Sequence, residues 1–197
     1  MNRVQLTKTI WEKYDKLTPV CDIGCGHNII FDFDYTRFDK AEIMHDKQTA
    51  ANVYGDFHDM FMFKDNHFGF ISSSHSLEHT RDIKKALNEW IRILKIGGIM
   101  FLTWPGYLEK KSKNELELCK KWDESLSQND IKNYLKFGGE MGWVSTDTSG
   151  KLFLDDHFNL VTLAELKHLL PKNVTVLEEI KETKNTDSQI VIRKIKN

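Results

Sequence analysis

The sequence predicts an α/β domain: a mostly parallel sheet with helices on both faces and an antiparallel hairpin at its C-terminus. Three observations predict it. Strand-like apolar segments alternate with helical periods between residues 7 and 105, the order expected of parallel strands joined by crossovers. The segments end in glycine or polar turns. The last two apolar segments, 174–180 and 189–195, are separated by eight polar residues, too few for a crossover, so they must pair antiparallel.

The elements follow in order. Residues 7–17 place Ile10, Trp11, Tyr14 and Leu17 on one helical face and stop before Pro19, which gives a leading helix. Strand one is expected at 19–24 and runs into Gly24-Cys25-Gly26. Residues 41–45 (AEIMH) are expected as strand two, ending at Asp46, and 52–55 (NVYG) as strand three, ending at Asp56. Strand four, His67–Ser73, is apolar and ends in a Ser-Ser-His-Ser turn. The clearest helix comes next. Ile83, Ala86, Leu87, Trp90, Ile91 and Leu94 form one continuous apolar stripe at helical spacing. Gly97-Gly98 stops it, and Ile99–Leu102 reads as a buried strand leading to Trp104-Pro105-Gly106.

Residues 107–157 break the alternation. They are polar and hold one expected helix, Asn114–Gln128, with Leu116, Cys119, Trp122 and Leu126 on one side. Order returns at Thr162-Leu-Ala-Glu165, a capping box that starts a short helix ending before Pro171. The whole of 1–197 is therefore read as a single domain, with 107–157 as an insertion after strand five.

Composition narrows the function. The chain is 40% apolar and 29% charged with a formal charge of −1, so no global field draws in nucleic acid or an anionic membrane. The three cysteines have no framework spacing, and no run of 18 apolar residues occurs. The expectation is a cytoplasmic protein that contacts neither membrane nor nucleic acid. Cys21, Cys25 and His27 lack a fourth ligand at zinc-like spacing, so no metal is expected. The sequence does not indicate an oligomeric state.

The glycine turn is the most informative short stretch. A dinucleotide site would continue with a third glycine and an apolar helix. Here Asn28 stands at the third position, and no apolar helical period follows before Asp46. Pyrophosphate needs the positive end of a helix. The ligand that fits is a nucleoside without phosphates, seated on glycine backbone with an acid facing its ribose.

These residues resemble the class I S-adenosylmethionine-dependent methyltransferases. The resemblance rests on Asp22-Ile-Gly24-Cys-Gly26, Asp46, Gly55-Asp56-Phe57, Leu77-Glu78-His79 and Arg92-Ile-Leu94-Lys95-Ile-Gly97-Gly98. It covers roughly 18–105 well and 157–195 in outline. It implies a Rossmann-like sheet and S-adenosyl-L-methionine as cofactor. The implied cofactor-binding positions are Asp22, Gly24, Cys25, Gly26, Asn28, Asp46, Asp56, Phe57, Ser74 and His75. Gly24 and Gly26 would let backbone approach the methionine and ribose portions, and Asp22 would bind the amino end, directly or through water. Asp46 would accept the ribose hydroxyls, with Glu42 and Asp39 as competitors. Asp56 would accept the adenine amine while the Phe57 N–H faces a ring nitrogen. Ser74 and His75 would sit beside the sulfonium.

If the acceptor atom is a hydroxyl or ammonium, a base must remove its proton, and histidine is the usual candidate. Two positions qualify: His75 after strand four, and His157 in Asp155-Asp156-His157. The expected acceptor is a small molecule such as a sugar or glycan precursor, methylated on O or N. Residues 107–157 are expected to form a lid that selects it, with Trp104, Tyr107, Trp143 and Phe153 as a stacking wall or as that segment's own core. The rival reading is a member of the fold that binds cofactor or a partner without turnover.

Overall fold

The computed structural model describes residues 2–44, 47–105, 144–154, 161–180 and 187–197. Eleven strands and three α-helices are described in chain order: α1 (Arg3–Lys13), β1 (Val20–Ile23), β2 (Thr36–Asp39), β3 (Ile43–Met44), β4 (Lys47–Gln48), β5 (Val53–Tyr54), β6 (Phe68–Ser74), α2 (Ile83–Ile93), β7 (Leu94–Trp104), β8 (Val144–Thr146), β9 (Leu152–Leu154), α3 (Leu163–Leu169), β10 (Val174–Ile180) and β11 (Ser188–Lys194).

Seven strands form the main sheet, in the order β10-β11-β7-β6-β1-β2-β5. From β7 to β5 every pairing is parallel, whereas β11 runs antiparallel to both β7 and β10. The hairpin expected at the C-terminus is present, and it is its second strand that lies against the parallel part.

Alternation along the strands divides the core into two layers. Cys21, Ile23, Ile71, Met100, Leu102, Ile190 and Ile192 face α2 and α3. Val20, Phe70, Ile99, Phe101 and Val191 face Ile10 of α1 and the segment around Ile30, Phe31 and Tyr35. Ala86, Leu87 and Trp90 of the α2 stripe are fully buried. The helix is capped by Asp82, whose side chain accepts from Lys85 N. Thr162 and Glu165 make the reciprocal capping-box bonds that start α3.

Two differences from the expected elements have physical causes. The leading helix lies at Arg3–Lys13, not 7–17. Asn2 caps it by accepting from Gln5 N at 2.9 Å, and the left-handed residues Asp15 and Lys16 end it.

Strand two is Thr36–Asp39, not 41–45. Its neighbour β5 is a two-residue edge strand, so β2 needs little apolar sequence, and only Phe38 among its residues is an apolar core residue. The apolar pair Ile43-Met44 belongs elsewhere. With β4 it enters a four-stranded antiparallel sheet, β4-β3-β8-β9, in which Ile43 pairs with Thr146 and Met44 with Ser145.

The crossover from β1 to β2 contains no helix, as the sequence implied. An aromatic cluster covers the sheet there instead: Trp11, Phe31, Phe33 and Tyr35 lie 5.0–6.1 Å apart between ring centroids. Tyr35 Oη accepts from the buried Ile30 N at 2.7 Å.

The residues at 106–143 and 155–160, including the expected helix Asn114–Gln128 and His157, lie outside the described residues. So does Asp46. No described helix is long and apolar enough to cross a membrane.

Candidate active site

Four adjacent parallel strands, β5, β2, β1 and β6, end on the same edge of the sheet. Their carboxyl ends therefore bring together Asp56-Phe57, Asp39-Lys40, Gly24–Gly26 and Ser74–Glu78. This edge is where open α/β sheets bind ligands.

The glycine turn is held from below and open above. Gly24 has φ +69°, and a Cβ there would lie 1.8 Å from Ser76 Oγ. The Ser76 hydroxyl is buried and within 3.3–3.4 Å of the carbonyls of Ile23, Gly24 and Ser74. Gly24 is thus required by both backbone conformation and the approach of Ser76. Gly26 is also left-handed, at φ +54°, but a Cβ there would meet nothing within 4 Å. The space above Gly26 is open to a ligand that touches backbone. Asn28 is exposed and not left-handed; its N–H donates to Cys25 O at 3.1 Å. The left-handed positions of the turn are Gly24 and Gly26.

Asp39 takes the place the sequence suggested for the acid after strand two. Its Oδ2 accepts from Gly26 N at 2.8 Å and its Oδ1 from Ala41 N at 3.0 Å. Two backbone donors therefore orient this carboxylate at the rim of the turn. Cys25 is buried, with Sγ 3.9 Å from Asp39 Oδ2. Burial pushes its thiol above the ordinary range, so it behaves as a packing group.

Asp22 is fully buried. Ser72 Oγ donates to its Oδ1 at 2.7 Å, and Arg3 Nη2 lies 3.5 Å from both carboxylate oxygens. Burial raises the Asp22 carboxyl above the usual range, against the pull of Arg3 and the Ser72 hydroxyl. Arg3 Nη2 also donates to Gly24 O at 3.3 Å. This guanidinium, missed in the sequence, places a cation directly at the turn from the first residue of α1.

At the end of β6, Ser74 Oγ accepts from Thr103 Oγ1 at 2.7 Å. His75 has φ +54°, a conformation that costs a non-glycine residue energy unless its surroundings impose it. Its N–H donates to Thr103 O at 2.9 Å. The ring lies between two carboxylates, with Nε2 2.8 Å from Asp187 Oδ2 and Nδ1 3.3 Å from Glu78 Oε1. The Glu78 contact is an ion pair, and neither buried Glu78 oxygen has a hydrogen-bond donor. Glu78, and then Asp187, raise the imidazole to about 9 against the pull of burial. A ring so held is protonated at neutral pH and donates; it accepts a proton only in more alkaline solution.

Asp56, Phe57, His58, Lys40, His79, Arg81, Asp82 and Lys85 line a cleft of about 220 Å³. Asp56 Oδ1 accepts from both His58 N and His58 Nδ1, at 2.8 and 2.6 Å. The imidazole bond is the main reason that the Asp56 carboxyl is held down at about 2. Phe57 is buried, and its carbonyl accepts from the Trp90 indole at 2.9 Å. Trp104, offered as a stacking wall, is buried and donates to Val161 O at 2.7 Å; it is core. Among the described residues no three His, Cys, Asp or Glu side chains are grouped to hold a metal ion.

Comparison with known proteins gives a family and agrees with the fold. A family model described as a methyltransferase domain matches residues 4–173. No functionally curated protein matches the chain. Among solved structures, a protein from Pyrococcus horikoshii aligns with a TM-score of 0.59 at 18% identity, over 98% of this chain and 90% of that one. A Methanococcus maripaludis protein named as a candidate S-adenosyl-L-methionine-dependent methyltransferase gives 0.56 at 18% identity, over 98% and 85%. An S-adenosylmethionine-dependent methyltransferase from Mesorhizobium loti gives 0.54 at 10% identity, over 93% and 97%. At these identities the structural likeness is one of fold.

Proposed function

The chain belongs to the methyltransferase-domain family, and on that premise we propose that it methylates a hydroxyl or amine of a small molecule. It is a class I S-adenosylmethionine-dependent methyltransferase, and S-adenosylmethionine is its cofactor. When bound, the cofactor supplies a methyl group on a sulfonium, a good leaving group.

The observation that carries the reading is the glycine turn. It is open above Gly26, bounded by Asp39, and followed by a crossover without a helix. With no helix N-terminus behind the turn, its backbone lacks the dipole that favours a pyrophosphate. The residues suit an adenosine that carries an amino-acid tail. Asp39 would accept the ribose hydroxyls, in place of Asp46. Asp56 and the Phe57 N–H would read the adenine edge. Arg3 would hold the tail carboxylate through a charge-assisted bond. Asp22 lies too deep for easy direct contact, so it would act through Arg3, the turn backbone or a water.

For transfer, the chain must hold the acceptor atom in line with the methyl group, which is mainly proximity and orientation. Ser74 and His75 stand at the end of β6, beside the turn. His75 as an imidazolium would orient an acceptor oxygen or a carboxylate; the proton-accepting role then passes to His157, a candidate from sequence alone. Residues 107–157 would supply the acceptor wall, and the β8–β9 hairpin ties that segment to β3, directly after the Asp39 rim.

Titration calorimetry should show S-adenosylhomocysteine binding near micromolar, about −8 kcal/mol, and no binding of NAD. Transfer of a labelled methyl group into a panel of sugars and amines should then identify the acceptor. His157→Ala should lower turnover while leaving cofactor affinity unchanged. Binding of NAD but not of S-adenosylhomocysteine would overturn the reading. Cofactor binding with no transfer to any acceptor would favour the non-catalytic alternative.

A further inference from the structure

His58 is two residues beyond Asp56, half-buried, and bonded at both ring nitrogens. Asp82 N donates to His58 Nε2 at 3.2 Å. A nitrogen that accepts an N–H carries no proton, so the neutral ring must carry its proton on Nδ1. That proton is donated to Asp56 Oδ1 at 2.6 Å, beside the His58 backbone N–H at 2.8 Å. Asp82 caps α2, where its own side chain accepts from Lys85 N. The helix start thus fixes the tautomer of His58, and His58 fixes which oxygen of Asp56 is occupied.

We propose that His58 is the positioning residue for adenine recognition: by holding Asp56 Oδ1 it turns Oδ2 into the cleft as a pure acceptor for the exocyclic amine of the base. This rests on the reading that Asp56 faces adenine. The consequence is selectivity. An ionised carboxylate can only accept, so a 6-amino purine is bonded whereas a 6-oxo purine presents lone pairs to lone pairs. His58 touches neither the base nor the reacting atoms; it acts through Asp56.

The test compares S-adenosylhomocysteine with its 6-oxo analogue, S-inosylhomocysteine, by calorimetry. The parent protein should prefer the adenosyl compound by tenfold or more. His58→Ala, which keeps the backbone donor, should reduce that preference at least threefold. His58→Asn should restore most of it, because the Asn amide reproduces the Nδ1–H donor, whereas a merely structural role would not distinguish the two variants. Asp56 is exposed, so Asp56→Asn should fold. With its Oδ1 still held by His58, its NH2 faces the cleft and the preference should reverse toward the 6-oxo compound. An unchanged ratio in His58→Ala, or an Asp56→Asn protein that still prefers the adenosyl compound, overturns the proposal. A parent protein that binds neither compound overturns the cofactor reading beneath it.

Discussion

Gly24 and Gly26 have the same backbone hand but different neighbours, so the same substitution should act differently at each. Gly24→Ala drives a Cβ to 1.8 Å from Ser76 Oγ and 2.5 Å from Ser76 Cβ. Added to the cost of a left-handed non-glycine residue, about 1–2 kcal/mol, this should lower the melting temperature sharply. Removing the obstructing side chain in Gly24→Ala/Ser76→Gly should recover part of the loss. Gly26→Ala meets no protein atom. It should fold with a loss of roughly 1–2 kcal/mol, yet bind S-adenosylhomocysteine far more weakly, because the methyl group occupies the ligand's space. Equal affinity in Gly26→Ala and the parent would place the ligand elsewhere.

His75 gives a pH-dependent prediction at the same scale. Its folded value lies above the ordinary 6.5, at about 9. The stability from its pairing with Glu78 and Asp187 is therefore whole below pH 6.5 and is lost as pH rises through about 9. The ring is 46% exposed, so solvent screens the effect. The difference in melting temperature between the parent and His75→Gln should be largest in mild acid and shrink across pH 6.5–9. A difference that grows over that interval would contradict the ion-pair geometry.

Among the described α-helices, α2 carries the most legible sequence pattern and the most buried residues. Trp90 is fully buried against Phe57, with ring centroids 6.3 Å apart, and donates to the Phe57 carbonyl. It therefore connects the helix to the cleft wall as well as to the core. Trp90→Ala should cost about 3–5 kcal/mol by urea denaturation and leave the Phe57 carbonyl without its donor. Trp90→Phe should recover the packing without the hydrogen bond, so its residual loss isolates the contribution of the indole.

The element that sequence misplaced, β2, shows why. Thr36-Arg37-Phe38-Asp39 has no apolar run, and Arg37 donates to Ala50 O at 2.6 Å and through its N–H to Asn52 Oδ1 at 2.8 Å. These bonds, made with a segment 13–15 residues away, hold the strand where local hydrophobicity does not.

For the whole molecule, stability should be graded across the two sheets. β6 and β7 lie inside the main sheet with buried residues on both faces, and β11 is flanked on both sides. The second sheet consists of strands of two or three residues, with β3 and β4 partly or fully exposed. Native-state hydrogen exchange should find the slowest amides in β6, β7 and β11 and faster exchange in β3 and β4. Exchange in β3 and β4 as slow as in β6 would mean that the small sheet belongs to the same cooperative unit.

The sequence by itself determined the mostly parallel sheet with its C-terminal hairpin, the glycine turn without a phosphate-binding helix, the place of Asp56 after a short strand, and the α2 stripe. Each is a local signal, a period or a short spacing set by residues close in the chain. Tertiary structure alone decided that Asp39 ends strand two, that Arg3 reaches Asp22 and Gly24, that Ser76 demands Gly24, and that Asp82 sets the tautomer of His58. These contacts join residues that are 13 to 52 positions apart. Their partners meet because parallel strands must align their carboxyl ends before any of them can touch, and hydrophobic spacing records only which face of an element is buried.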